Sequence, residues 1–137
     1  MKALDVLIKY WGHTKFRLQQ EEIINQIIQG KDTLALLPTG GGKSICYQIY
    51  SIMNPGICIV VSPLISLMND QVSFLKSKGI KSIFIHSYMS YNEIDTCLNN
   101  CIYGNFKFLY LSPEKIQNNF IHDRIKKMNI NLIVVDE

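Results

Sequence analysis

The residues most able to do chemistry lie together in Pro38-Thr39-Gly40-Gly41-Gly42-Lys43-Ser44. Glycines at this density let backbone N–H groups converge on an anion with no Cβ in the way. Ile45 to Met53 contains no helix breaker, so Gly42-Lys43-Ser44 reads as the opening of a helix, whose N-terminus adds partial positive charge. Asp32 to Leu37 is short, apolar and bounded by turn formers, which predicts a buried strand ahead of the glycines. Strand, glycine turn and Gly-Lys-Ser helix start together form a phosphate-binding loop. Lys43 reaches for the β and γ phosphates, and the Ser44 hydroxyl is placed to hold Mg²⁺. The strict pattern wants a glycine where Leu37 stands, and Pro38-Thr39-Gly40 takes over that turn.

A second chemical signal closes the chain. In Leu132-Ile133-Val134-Val135-Asp136-Glu137 an apolar strand delivers two carboxylates. An aspartate there can hold Mg²⁺ through water, and the adjacent glutamate can polarise the water that attacks a γ-phosphate. By itself an Asp-Glu pair after an apolar run is a solvated strand end. With the phosphate loop upstream it reads as the hydrolytic half of an ATPase, with Lys43, Asp136 and Glu137 as catalytic residues.

These residues need elements to hold them. Lys2 to Tyr10 has a helical apolar face, ended by Gly12, and a second helix is expected from about Leu18 to Gln29 with Ile23, Ile24, Ile27 and Ile28 inward. Downstream, Ile57–Val61, Ser82–Ile85, Phe106–Leu111 and Leu132–Val135 read as buried strands. Helices between them are expected from Ser62-Pro63 to about Lys78, from Ser90 to Tyr103, from Ser112-Pro113, and from about Phe120 to Met128. Ser62 is expected as an N-cap with Pro63 at the first helical position. Near-continuous apolar strands alternating with helices predict an α/β fold of three layers around a mostly parallel sheet. Ligands of such sheets bind beyond the carboxyl ends of the strands. The phosphate loop, Ser62-Pro63, Ser112-Pro113 and Asp136-Glu137 all fall there.

Bulk composition bounds the rest. With 137 residues, 47% hydrophobic and 18% charged, the chain can build a core. A net charge of +3 permits a nucleic-acid partner without arguing for one. No apolar run is long enough to span a bilayer, and Met1-Lys2-Ala3-Leu4-Asp5 lacks a signal-peptide core, so a cytoplasmic location is expected. Cys46 and Cys58 read as buried small hydrophobes. Cys97 and Cys101 share a helix face but have no further ligand at zinc spacing, which favours free thiols over a metal site. Lys115, Arg124, Lys126 and Lys127 read as a solvated basic helix face.

Taken together, these stretches resemble the RecQ family of superfamily 2 DNA helicases along the whole chain. Leu37 to Ser44 with Cys46-Tyr47-Gln48 looks like that family's motif I. Val60 to Val72 is similar to motif Ia, and Leu109 to Lys115 to motif Ib. Val134-Val135-Asp136-Glu137 looks like motif II cut in half, and Trp11-Gly12-His13 with Phe16-Arg17 and Gln20 resembles the adenine-reading motif 0. The resemblance implies a RecA-like P-loop NTPase domain in incomplete form, spanning 1–137, with 1–30 as the helical, adenine-reading segment. It implies ATP and Mg²⁺ as cofactors, with His13, Arg17 and Gln20 at the base, Thr39, Gly40, Gly41, Gly42, Lys43 and Ser44 at the phosphates, and Ser44 and Asp136 on the metal. His13 stands where some members carry a stacking tyrosine. Ser62, Pro63, Ser112 and Pro113 would contact the DNA backbone, at single strands and duplex junctions, in a 3′ to 5′ helicase of DNA repair and recombination. In RecA-like sheets a further strand separates the phosphate-loop strand from the Asp-Glu strand. The resemblance therefore implies a gap in the sheet, or one that rearranges or pairs with another chain. This chain is accordingly expected to be the N-terminal piece of a longer protein, unable to unwind DNA alone and slow in hydrolysing ATP. Two other readings stay open: another superfamily 2 nucleic-acid-dependent ATPase, and a nucleotide- or nucleic-acid-binding module without turnover.

Overall fold

The computed structural model describes residues 1–37 and 42–136, in two compact units, Met1–Pro55 and Gly56–Glu137. The N-terminal unit is helical. Helices α1 (Ala3–Trp11), α2 (Gln20–Ile28) and α3 (Lys43–Met53) bury Val6, Leu7, Ile23, Ile24, Cys46 and Ile49 against one another. Gly12 terminates α1 in the left-handed conformation at φ +74°, where its N–H returns to the Ile8 carbonyl. Helix α2 starts later than the apolar spacing predicts. Leu18 takes φ +49°, which no right-handed helix accommodates, and the Gln20 N–H closes a turn on the Arg17 carbonyl instead.

The predicted strand over Asp32–Leu37 does not form. Ala35 and Leu37 turn to the helical core, while Leu34 and Leu36 are 85% and 80% exposed. A strand exists by virtue of a hydrogen-bonded neighbour. Among the described residues this segment has none, so it keeps an alternating, extended chain without becoming part of a sheet.

The second unit is the α/β part. Strands β1 (Ile57–Val61), β2 (Ser82–Ile85), β3 (Phe108–Leu111) and β4 (Ile130–Val135) form one sheet in the order β2-β3-β1-β4, every pair parallel. Alternation divides the strands' side chains between two faces. Ile57, Ile59, Val61, Ile83, Ile85, Leu109 and Leu111 face α5 (Tyr91–Tyr103) and α7 (Asn119–Ile125), meeting Leu98, Cys101, Ile121 and Ile125. Helix α4 (Ile65–Ser77) packs on β2 and β3 from the other side, where Phe108 and Tyr110 are fully buried. Three layers and a parallel sheet are therefore present, as the sequence predicts. At the β4 edge Ile133 and Val135 remain exposed.

Capping explains the α5 and α7 starts. Ser90 Oγ accepts from the Glu93 N–H while Glu93 accepts from the Ser90 N–H, a capping box that also holds the Glu93 carboxyl below its ordinary pKa. Asn118 Oδ1 accepts from the Ile121 N–H at the head of α7. Arg124 on α7 corrects the reading of a wholly solvated basic face. Its guanidinium pairs with Asp95 at 2.6 Å, bonds Asn99, and lies over the Phe120 ring, so it ties α7 to α5. Lys126 and Lys127 are exposed, as expected.

Candidate nucleotide site

In the N-terminal unit the site is built around Gly42. It is the N-cap of α3 at φ +74°, and no side chain caps the helix there. A glycine cap brings no side chain of its own to the helix start, and a helix N-terminus suits an anion. Lys43 and Ser44 are the first two residues of α3, each half-buried. The donor types fit a phosphate: the amides of a helix N-terminus, an ammonium and a hydroxyl. Pro38, Thr39, Gly40 and Gly41 lie outside the described residues, as does Glu137.

The Gly42 carbonyl is held from two directions. Gln20 Nε2 donates to it at 3.1 Å, and Cys46 Sγ, one helical turn on, donates at 3.9 Å. Gln20 is 2% exposed, and its Oε1 accepts from the Arg17 N–H at 2.9 Å. Among the described residues its amide thus both donates and accepts. A Cβ on Gly42 would collide with Gln20 Nε2 and would also be strained at that φ, so only glycine fits. The stretch expected to read adenine is thereby hydrogen-bonded to the end of the stretch expected to grip phosphate. His13 and Arg17 are exposed, beside the half-buried Trp11 and Phe16.

Cys46 is a residue whose part the sequence reading undervalued. Placing it in the core was right, and burial pushes its thiol up to about 11, so it is a neutral donor rather than a nucleophile. Its spacing of four from Gly42 on a helix is the signal that it meets that carbonyl. Burial likewise raises Cys101 to about 12 and raises Cys97.

In the second unit the parallel register aligns the strand ends. Val61 pairs with Leu111, and Leu111 with Ile85, so Ser62, Ser112 and His86 leave the sheet along one rim. The two Ser-Pro pairs behave differently. Ser112 caps the short helix α6 (Pro113–Gln117), its Oγ accepting from the Lys115 N–H with Pro113 at the first position. Ser62 is not a cap, which corrects the expected helix start. It stays in the ladder through its N–H to the Leu111 carbonyl, and its Oγ takes the Leu64 N–H in a tight turn that delays α4 to Ile65. Ser62 is 1% exposed while Pro63 is open to solvent. Asp136 follows β4 and is buried, with its N–H on the Val61 carbonyl at 2.9 Å.

Comparison with known proteins identifies the class. The chain belongs to the DEAD/DEAH box helicase family, whose profile matches residues 17–137. Among individual relatives it is similar to the probable ATP-dependent DNA helicase RecS of Bacillus subtilis, at 43% identity over 99% of this chain and 27% of that protein. It is similar also to the ATP-dependent DNA helicase RecQ of Haemophilus influenzae, at 42% identity over 98% of the chain and 22% of the relative. The ATP-dependent DNA helicase Q-like 5 of Arabidopsis thaliana is 41% identical over 93% of the chain and 14% of its own length. The RecQ resemblance read from the motifs is thus borne out. The chain spans about a quarter of the length of these relatives, or less. No helix among the described residues is long and apolar enough to cross a membrane.

Proposed function

We propose that this chain is the ATP-binding portion of a RecQ-type DNA helicase. The observation that carries the reading is the Gln20–Gly42 hydrogen bond, which makes a base-reading segment and a phosphate-gripping helix start into one device. In this reading the α3 N-terminus and Lys43 neutralise the triphosphate, and Ser44 is a ligand of its Mg²⁺. Thr39, Gly40 and Gly41 complete the cradle, while His13, Arg17 and Gln20 select adenine. Bound Mg²⁺ supplies charge neutralisation at the phosphates. Asp136 is its second protein partner, and Glu137 orients the attacking water.

DNA is the proposed partner of the sheet rim. The exposed Pro63, the α4 start and the Ser112-Pro113 turn offer it contacts that read backbone rather than sequence. Burial of Ser62 assigns it to shaping the turn under Pro63, so that its own hydroxyl does not reach the phosphate. The proposed domain is a partial RecA-like domain across 1–137, with 1–30 as its adenine-reading segment.

The test is Lys43→Ala in the whole protein that carries this chain. Strand separation of a duplex with a single-stranded tail should fall at least about a hundredfold, since the triphosphate loses its principal cation. Binding of the same DNA without nucleotide should be unchanged. Undiminished unwinding would remove the motor reading, and a parent protein that binds DNA but never unwinds it would favour a binding module.

A further inference from the structure

An aromatic series climbs out of the sheet at the end of β2. Phe84, His86 and Tyr88 are spaced by two, Phe84 within β2 and the other two in the segment that follows it. Their rings follow one another, Phe84 to His86 at 5.4 Å between centroids and His86 to Tyr88 at 6.4 Å. Phe84 is half-buried, His86 is half-buried, and Tyr88 is 95% exposed. The series is fixed rather than loose. His86 Nδ1 accepts from the Tyr88 N–H at 3.3 Å, and the His86 N–H points at Met89 Sδ at 3.4 Å. Ile65, Ser66 and Asn69 of α4 wall the other side of a pocket of about 470 Å³ beside these rings.

We propose that this pocket receives a base of single-stranded DNA, stacked on His86 and Tyr88. The inference rests on the helicase reading given above. Three observations select this occupant. Among the described residues the lining holds no Lys, Arg, Asp or Glu, which disfavours a phosphate and suits a neutral ring. Asn69 and Ser66 supply amide and hydroxyl groups of the kind that bond a base edge. The pocket opens on the rim that carries Pro63 and the start of α4, so a strand whose backbone runs there has a base within reach of the aromatic series. The Tyr88 ring, almost wholly in water, has its face open to a flat partner. Base stacking of this kind tolerates any sequence, because every base has a π-face.

The experiment uses the 137-residue chain and single-stranded oligodeoxynucleotides carrying 5-iododeoxyuridine. Irradiation followed by mass spectrometry should place the crosslink on Tyr88 or His86. In anisotropy titrations Tyr88→Ala should weaken binding of a thymidine strand about five- to tenfold, and Tyr88→Trp should restore it. An abasic strand of the same length should bind wild type and Tyr88→Ala alike. Tyr88 is so exposed that its replacement does not threaten folding. Crosslinks confined to other residues would overturn the proposal, as would equal loss on the abasic strand, which would make the contact one of backbone. Unchanged binding by Tyr88→Ala, with wild type binding well, would overturn it and leave the helicase reading standing; a pocket for a protein segment would give that result. Wild type that binds neither strand would overturn the proposal, while the helicase reading is judged separately by Lys43→Ala in the whole protein.

Discussion

Asp32–Leu37 and Ile57–Val61 are both short apolar runs ahead of a polar turn, and both read as buried strands. In the structure they part company. All five residues of β1 are buried, and each side of the strand is hydrogen-bonded, to β3 and to β4. Among the described residues the upstream run has no ladder, and two of its three leucines face solvent. Both runs are short and apolar, but β1 is mostly β-branched, with Ile57, Ile59, Val60 and Val61, whereas the upstream run carries Asp32, Ala35 and three leucines. The supply of neighbours differs as well, and a strand is a property of a pair of segments before it is a property of one.

Single substitutions sharpen the contrast. Ile59 lies 1% exposed between β3 and β4, so Ile59→Ala should cost about 2–5 kcal/mol, read as a lower urea midpoint by circular dichroism. The matching change upstream should be nearly silent. Leu36→Ala removes a side chain already in water and should cost less than about 0.5 kcal/mol, followed through Trp11, the chain's single tryptophan and a reporter of the helical unit. A Leu36→Ala cost comparable to that of Ile59→Ala would mean that the upstream run is packed as a true strand, and the comparison would fail.

Most of the fold was legible because its signals are local. Ser90 with Glu93 and Ser112 with Pro113 mark helix starts through bonds within three residues, and both starts are where the sequence predicts them, while the helix expected from about Phe120 begins one residue earlier, capped by Asn118. Gly12 and Gly30 hold positive φ at helix ends, as a glycine stop implies. The misreadings are cases where a distant or competing partner decides. Ser62 has the same Ser-Pro signature as Ser112, yet its N–H is claimed by Leu111 and its hydroxyl by Leu64. Leu18 has good helix propensity, but the turn from Arg17 to Gln20 forces it into the left-handed region. Arg124 looked like a free surface cation because Asp95 and Asn99 lie on another helix.

The candidate site divides in the same way. Lys43 and Ser44 at a helix start were legible from the glycines before them. That Gln20 reaches the Gly42 carbonyl across 22 residues was not, because nothing in the local pattern brings those segments together. Nor did the spacing of Phe84, His86 and Tyr88 stand out, since period-two aromatics normally mark a half-buried strand, and here the last two lie beyond the strand end.

The central claim is that the helix start at Gly42-Lys43-Ser44 holds a nucleoside triphosphate. Its most direct test is titration of the chain with a fluorescent N-methylanthraniloyl ATP in the presence of Mg²⁺. The account predicts saturable binding, displaced by unlabelled ATP, lost on chelating the metal, and weakened at least about tenfold by Lys43→Ala. Binding that Lys43→Ala leaves intact, or none by wild type at millimolar nucleotide, would contradict it.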